Sequence, residues 1–184
     1  DFNRNATIII GNSVAGSIPE VFLKNSSADI AVMGEGEITT AEVVQKILKG
    51  DENWGKVAGI AYKNKDGKII INEKRKGLKK LDDFPMINWE NFDTEKYFEK
   101  SYAGAHAIDD KKVRVMPLVT ARGCAFRCTF CHFVFWNDPY RYRSPENILL
   151  ELKRNLVDYN CNYITFWDDL SFASLPQAER FADA

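Results

Sequence analysis

Ala121-Arg122-Gly123-Cys124-Ala125-Phe126-Arg127-Cys128-Thr129-Phe130-Cys131-His132 holds three of the four cysteines in a chain of 184 residues. The CxxxCxxC spacing of Cys124, Cys128 and Cys131 lets one short loop present three thiolates to a compact metal centre, with one metal position left open. Thiolates select zinc, copper(I) or iron–sulfur centres over magnesium or calcium. Arg122 and Arg127 favour deprotonated sulfur, because nearby positive charge lowers a cysteine pKa. Three other readings stand beside a cluster. Unrelated core cysteines are common, but three rarely crowd beside a glycine and two arginines. Closed zinc, with His132 or Cys161 as fourth ligand, usually draws two ligands from each of two knuckles, and one knuckle is visible. Disulfides require an oxidising compartment.

With an aromatic directly before its last cysteine, Cys124-Ala-Phe-Arg-Cys128-Thr-Phe130-Cys131 resembles the radical S-adenosylmethionine (SAM) superfamily. The resemblance implies a 4Fe-4S cluster on Cys124, Cys128 and Cys131, whose remaining iron takes the amino and carboxylate groups of SAM. An electron from the cluster, supplied by a donor such as a flavodoxin or ferredoxin, then splits the sulfur–carbon bond of SAM to give a 5′-deoxyadenosyl radical. Phe130 is implied to border the adenine, although by residue type it also reads as a core aromatic. The cofactors carry the hard chemistry, and the protein supplies orientation and excludes water.

Composition sets the outer bounds. With 45% hydrophobic and 28% charged residues the chain reads as globular. A net charge of −1 gives no nucleic-acid footprint. No apolar run approaches the roughly 20 residues of a membrane span. Clustered thiols fit a reducing interior, so a cytoplasmic location is expected.

Upstream, Ala6-Thr7-Ile8-Ile9-Ile10 predicts a buried strand and Gly11-Asn12 a turn. Ser17-Ile18-Pro19-Glu20 has the capping-box pattern of a helix start. Asp29-Ile30-Ala31-Val32-Met33 predicts a second strand ending in Gly34-Glu35-Gly36-Glu37. A second box, Thr39-Thr40-Ala41-Glu42, begins a helix that Gly50 closes. Strand, helix, strand, helix implies a parallel sheet covered by helices, with ligands beyond the carboxyl ends of the strands, where both glycine turns fall. By spacing alone those glycines read as tight turns. The order also resembles the end of the cobalamin-binding domain that precedes many radical SAM barrels, which implies Gly11, Gly34, Glu35 and Gly36 as cobalamin contacts. The family's usual Gly-Gly is here Gly11-Asn12, and the upstream histidine motif that ligates cobalt in some relatives is absent from the chain.

Gly59 to Lys63 and Lys68 to Asn72, joined through Asn64-Lys65-Asp66-Gly67, predict a hairpin. Lys74-Arg75-Lys76 and Lys79-Lys80, followed by Asp82-Asp83, read as a solvated linker rather than a nucleic-acid patch. Trp89, Phe92, Tyr97 and Phe98 are expected to fasten it to the following domain, and the passage resembles the connector of the same family.

Val113 to Thr120 predicts a strand with an edge-type proline that feeds the cysteine loop. Trp136, Tyr140, Arg141, Tyr142 and Arg143 suggest cation–π packing. Ser144-Pro145 starts a helix, with Ile148, Leu149, Leu152, Leu156 and Val157 as its inward face. Cys161 reads as a free, partly buried thiol and Tyr163 to Trp167 as the next strand. Asp168 and Asp169 fall on the same carboxyl-end rim as the cysteine loop. As paired carboxylates they suit a cationic amine or a helix cap, and the resemblance implies the SAM amino group. Ser174-Leu175-Pro176-Gln177 begins a last helix.

The expected fold is therefore α/β: residues 1–50 as the C-terminal half of a flavodoxin-like, cobalamin-binding-type parallel sheet, residues 51–111 as hairpin and linker, and residues 112–184 as the first two strand–helix units of a partial TIM-type barrel. Two barrel strands leave unpaired edges, so the chain is expected to be an internal piece of a longer protein. The resemblance implies methyl transfer or cyclisation on a small-molecule, lipid or tetrapyrrole-like substrate, with a cobalamin-free radical SAM enzyme and a zinc-binding interaction module as alternatives.

Overall fold

A computed structural model describes residues 6–100, 113–131 and 139–184, Lys100 by its backbone only. These fall into two compact units, one ending at Gly77 and the other beginning at Leu78.

In the first unit, β1 (Ile9–Ile10) and α1 (Asn12–Ser17) lead through α2 (Pro19–Lys24) to β2 (Ile30–Val32), which pairs parallel with β1. α3 (Gly36–Leu48) returns to β3 (Ile60–Lys63) and β4 (Ile69–Ile71), giving sheet order β1-β2-β3-β4. Alternate residues of a strand face opposite sides of a sheet, and β2 shows it. Ala31 joins Leu23 of α2 in one buried cluster, while Ile30 and Val32 join Val43 of α3 in another. Covering on both faces explains the continuous apolar run of this strand.

Three segments depart from their sequence patterns. Ser17 ends α1 instead of opening α2, and its hydroxyl donates to the Ser13 carbonyl at 2.6 Å. α3 begins at Gly36, ahead of Thr39, which is fully buried within the helix and accepts from Arg75 Nε at 3.0 Å. Arg75 also pairs with Glu42, so it ties its segment to α3 instead of lying in a uniformly solvated run. The hairpin turn forms as expected, with Asp66 and Lys68 amides donating to the Asn64 side chain. Its first strand also pairs antiparallel with β2, placing Ala61 opposite Ala31.

The second unit contains α4 (Thr94–Lys100), β5 (Val115–Leu118), β6 (Ala121–Arg122), β7 (Arg141–Tyr142), α5 (Pro145–Asp158), β8 (Tyr163–Phe166) and α6 (Leu175–Ala182). β5 and β8 pair parallel, with Pro117 opposite Thr165, and β6 pairs antiparallel with β7. Phe98 is buried against Met116 and Cys161, so α4 and β5 share a core. The Arg114 guanidinium lies 4.1 Å over the Phe98 ring and forks onto Glu95 at 2.8 and 2.6 Å.

Ser144 caps α5 by accepting from the Asn147 amide, with Pro145 at the first helical position. The inward face of α5 differs from the apolar stripe: Ile148, Glu151 and Asn155 are buried, while Leu156 and Val157 are exposed. An ion pair between residues eight apart decides this. Arg143 pairs with Glu151, both almost fully buried, and donates to the Val119 carbonyl at 2.8 Å, which draws Glu151 to the sheet side. Arg141 likewise donates to the Pro139 and Leu78 carbonyls, and the described cation–π contacts belong to Arg114 and Arg122. Trp136 lies outside the described residues. Among the described residues no helix is long and apolar enough to cross a membrane.

Candidate functional site

The cysteine loop leaves the carboxyl end of β5, where the chain is gripped from two sides. Arg143 takes the carbonyls, its backbone N–H donating to Thr120 O at 2.8 Å and its side chain to Val119 O. Asp168, just past β8, takes the donors: Oδ1 accepts from the Thr120 and Ala121 amides at 2.8 and 3.1 Å, and Oδ2 from the Thr120 hydroxyl at 2.6 Å. Ala121 and Arg122 then pair with Tyr142 and Arg141. Gly123 follows at φ +82°, a left-handed conformation that suits glycine. A β-carbon there would stand 3.1 Å from the Pro139 oxygen.

Beyond this root the thiols face outward. Cys124 is half-buried, Cys128 and Cys131 are exposed, and all three are free. The Phe126 amide donates to Cys124 Sγ at 3.4 Å, and the Cys131 amide closes a turn on the Cys128 carbonyl at 3.1 Å. Among the described residues no three His, Cys, Asp or Glu side chains are gathered closely enough to hold a single metal ion. The three sulfurs are thus displayed along an exposed loop. The donor set fits a thiolate-bound cluster: three free, accessible sulfurs within one short loop, one already accepting a backbone N–H.

The other sequence-derived residues divide clearly. Phe130 is 89% exposed, so it is not a core aromatic. Arg122 stacks on Phe84 with its guanidinium carbon 4.6 Å from the ring centroid. Cys161 is buried between Phe98 and Met116, and burial pushes its thiol pKa up. His132 lies outside the described residues. Both oxygens of Asp168 are engaged at the loop root, whereas Asp169 is exposed.

In the first unit, Gly11 precedes α1, Gly34 adopts φ +78° after β2, Glu35 is the N-cap of α3, and Gly36 is its first residue. Gly34 lines a cavity of about 130 Å³ with Asn12, Ser13, Gly16, Ser17, Met33 and Lys74. Gly11, Glu35 and Gly36 are not in that lining. Asn12 has φ +79°, a conformation asparagine tolerates better than most residues, so it supplies the backbone geometry of a glycine. Nothing local marks Ser13, and Lys74 reads in the sequence only as part of a solvated basic run, whereas it lines this cavity. The second unit has its own apolar cavity of about 190 Å³, lined in part by Phe84, Met86, Trp89, Pro117, Arg122 and Trp167.

Comparison with known proteins bears on the segment that holds the cysteine loop. The radical SAM superfamily pattern matches residues 118–180. These residues belong to the radical SAM superfamily. The radical SAM segment thus contains the cysteine loop, its Asp168 clasp, α5 and β8. The chain is 29% identical over 186 residues to cytidylyl-2-hydroxyethylphosphonate methyltransferase of Streptomyces wedmorensis, covering 89% of this chain and 34% of that protein. It is 29% identical over 160 residues to anaerobic magnesium-protoporphyrin IX monomethyl ester cyclase of Rubrivivax gelatinosus, covering 82% of this chain and 26% of that one. Among solved structures, the apo form of the cobalamin-dependent S-adenosylmethionine radical enzyme OxsB superposes with a TM-score of 0.69 at 25% identity, covering 94% of this chain and 23% of OxsB. The chain therefore spans about a third or less of the length of these relatives. The mixed α/β architecture of this chain, with its two parallel strand pairs among the described residues, is similar to that of this neighbour.

Proposed function

We propose that the chain forms part of a radical SAM enzyme in which Cys124, Cys128 and Cys131 hold a 4Fe-4S cluster. The observation that carries this reading is the set of three free thiols on a rigidly rooted loop inside the radical SAM match. A cluster bound there supplies the electron that cleaves SAM. The chain's own residues root the loop and shape its surroundings. Phe130, exposed beside Cys131, offers a flat apolar face to the adenine. Asp169 offers a carboxylate to the SAM amine from the carboxyl end of β8.

Residues 1–50 form the C-terminal half of a flavodoxin-like, cobalamin-binding-type domain, residues 51–111 the connector, and residues 112–184 the first two strand–helix units of a partial barrel. The likeness to the cobalamin-dependent OxsB and the left-handed Asn12 at the glycine-turn position support cobalamin over a cobalamin-free enzyme. Gly34, lining the cavity beside Asn12, is the cobalamin contact this geometry supports, while Gly11, Glu35 and Gly36 adjoin Asn12 and Gly34 in sequence outside that lining. The named relatives favour methyl transfer or ring closure on a small molecule, in a reducing compartment such as the cytoplasm and with a flavodoxin- or ferredoxin-type donor.

Anaerobic reconstitution of the protein with iron and sulfide tests the reading. Four irons per chain, a reduced-cluster paramagnetic resonance signal that shifts on adding SAM, and loss of both in each single cysteine-to-alanine variant are expected. Stoichiometric zinc with four protein ligands would instead establish the interaction module. Added cobalamin should comigrate with the protein; a protein with intact cluster that fails to retain it is the cobalamin-free enzyme.

A further inference from the structure

We infer that Asp168, resting on the reading just given, is a positioning residue for the iron–sulfur loop and not the carboxylate that receives the SAM amine. Three donors converge on it: two backbone amides and a hydroxyl, all from Thr120 and Ala121. Thr120 is 1% exposed, so its polar groups have no water to turn to, and an unmet buried donor is costly. Arg122, Gly123 and Cys124 follow directly, so the clasp fixes where the first ligating sulfur emerges.

The geometry also separates the two adjacent aspartates. The chain turns after β8, so Asp168 points back to the loop root while Asp169 is exposed, with no hydrogen bond or ion pair among the described residues. A carboxylate whose two oxygens already accept three hydrogen bonds has little capacity left for an ammonium ligand. The neighbour that keeps its oxygens open is the one suited to a cation.

The roles predict opposite responses to substitution. In D168N the amide oxygen can still accept both backbone N–H groups while its NH2 donates to the Thr120 hydroxyl, which rotates to accept. D168A removes all three partners. T120V removes only the hydroxyl contact at nearly constant volume, and serves should D168A fail to fold.

The experiment measures iron per chain, the paramagnetic resonance of the reduced cluster without SAM, SAM affinity, and amide hydrogen exchange at Thr120 and Ala121 in the iron-free protein. D168A should accelerate exchange at those amides by roughly ten- to a hundredfold and alter the SAM-free cluster signal or iron content. T120V should have a smaller effect in the same direction, and D168N should restore the wild-type cluster signal. D169N should leave the SAM-free signal unchanged and weaken SAM binding. The inference is overturned if D168A leaves exchange and the SAM-free signal at wild-type values, or if D168N and D168A both weaken SAM binding without touching the cluster. A wild-type protein that binds no iron would sink the functional reading instead, while the exchange measurement still judges the clasp.

Discussion

Replacing Gly123 with alanine puts the root of the cysteine loop under direct strain. The residue sits at φ +82°, where a β-carbon meets backbone. The nearest atoms are the Pro139 oxygen at 3.1 Å, Tyr140 Cα at 3.4 Å and the Pro139 carbonyl carbon at 3.5 Å. All three are main-chain atoms of the segment leading into β7, so no side chain can swing aside. Left-handed backbone and the tight contact together cost about 1–3 kcal/mol. That lowers the population of the native loop root by roughly 5- to 150-fold. Measured as iron bound per chain at limiting iron, with amide exchange at Ala121 and Arg122 as an iron-free check, G123A should fall well below wild type. Asparagine tolerates the left-handed region but keeps the β-carbon, so G123N should fall between the two. Wild-type iron uptake and exchange in G123A would refute the reasoning.

Glu151→Ala strands the Arg143 guanidinium in a nearly closed environment and should cost about 3–5 kcal/mol in urea unfolding. The double variant R143M/E151L should recover much of the loss; a single-variant cost under about 1 kcal/mol would mean the pair is effectively solvated. Cys161, with its thiol pKa raised by burial, should resist alkylation at mildly alkaline pH while Cys124, Cys128 and Cys131 of the iron-free protein label first, as read by mass spectrometry. Equal rates would contradict its burial. Asp51 is held at about 2, below its ordinary 3.8, chiefly by a hydrogen bond from the Lys46 ammonium and also by the Asn53 amide. Because the folded value is depressed, its contribution is complete above about pH 4 and is lost as pH falls through 2. A nuclear magnetic resonance titration should show that midpoint, and K46M should raise it toward 3.8.

What could be read from the chain alone follows the reach of the interactions involved. Ser144-Pro145 announces α5 because capping is settled within three residues, and Asn64 to Gly67 announces the hairpin for the same reason. Thr39 misleads because its hydroxyl is engaged by Arg75, 36 residues away, leaving the cap pattern without its usual role. Leu156 and Val157 look inward-facing, yet the charged Glu151 takes the buried side through Arg143. At the candidate site the cysteine spacing is legible because a loop's ligands are local. The Asp168 contacts, 47 and 48 positions from their partners, are not.

That separation bears on how the protein is made. At roughly 5–20 residues per second, a ribosome finishes the cysteine segment, ending at Cys131, about 2–7 seconds before it adds Asp168. Through that interval the nascent thiols are present before their tether exists, so iron delivery during translation would meet an unanchored segment. Maturation is best ordered with metal insertion after the downstream strand has docked.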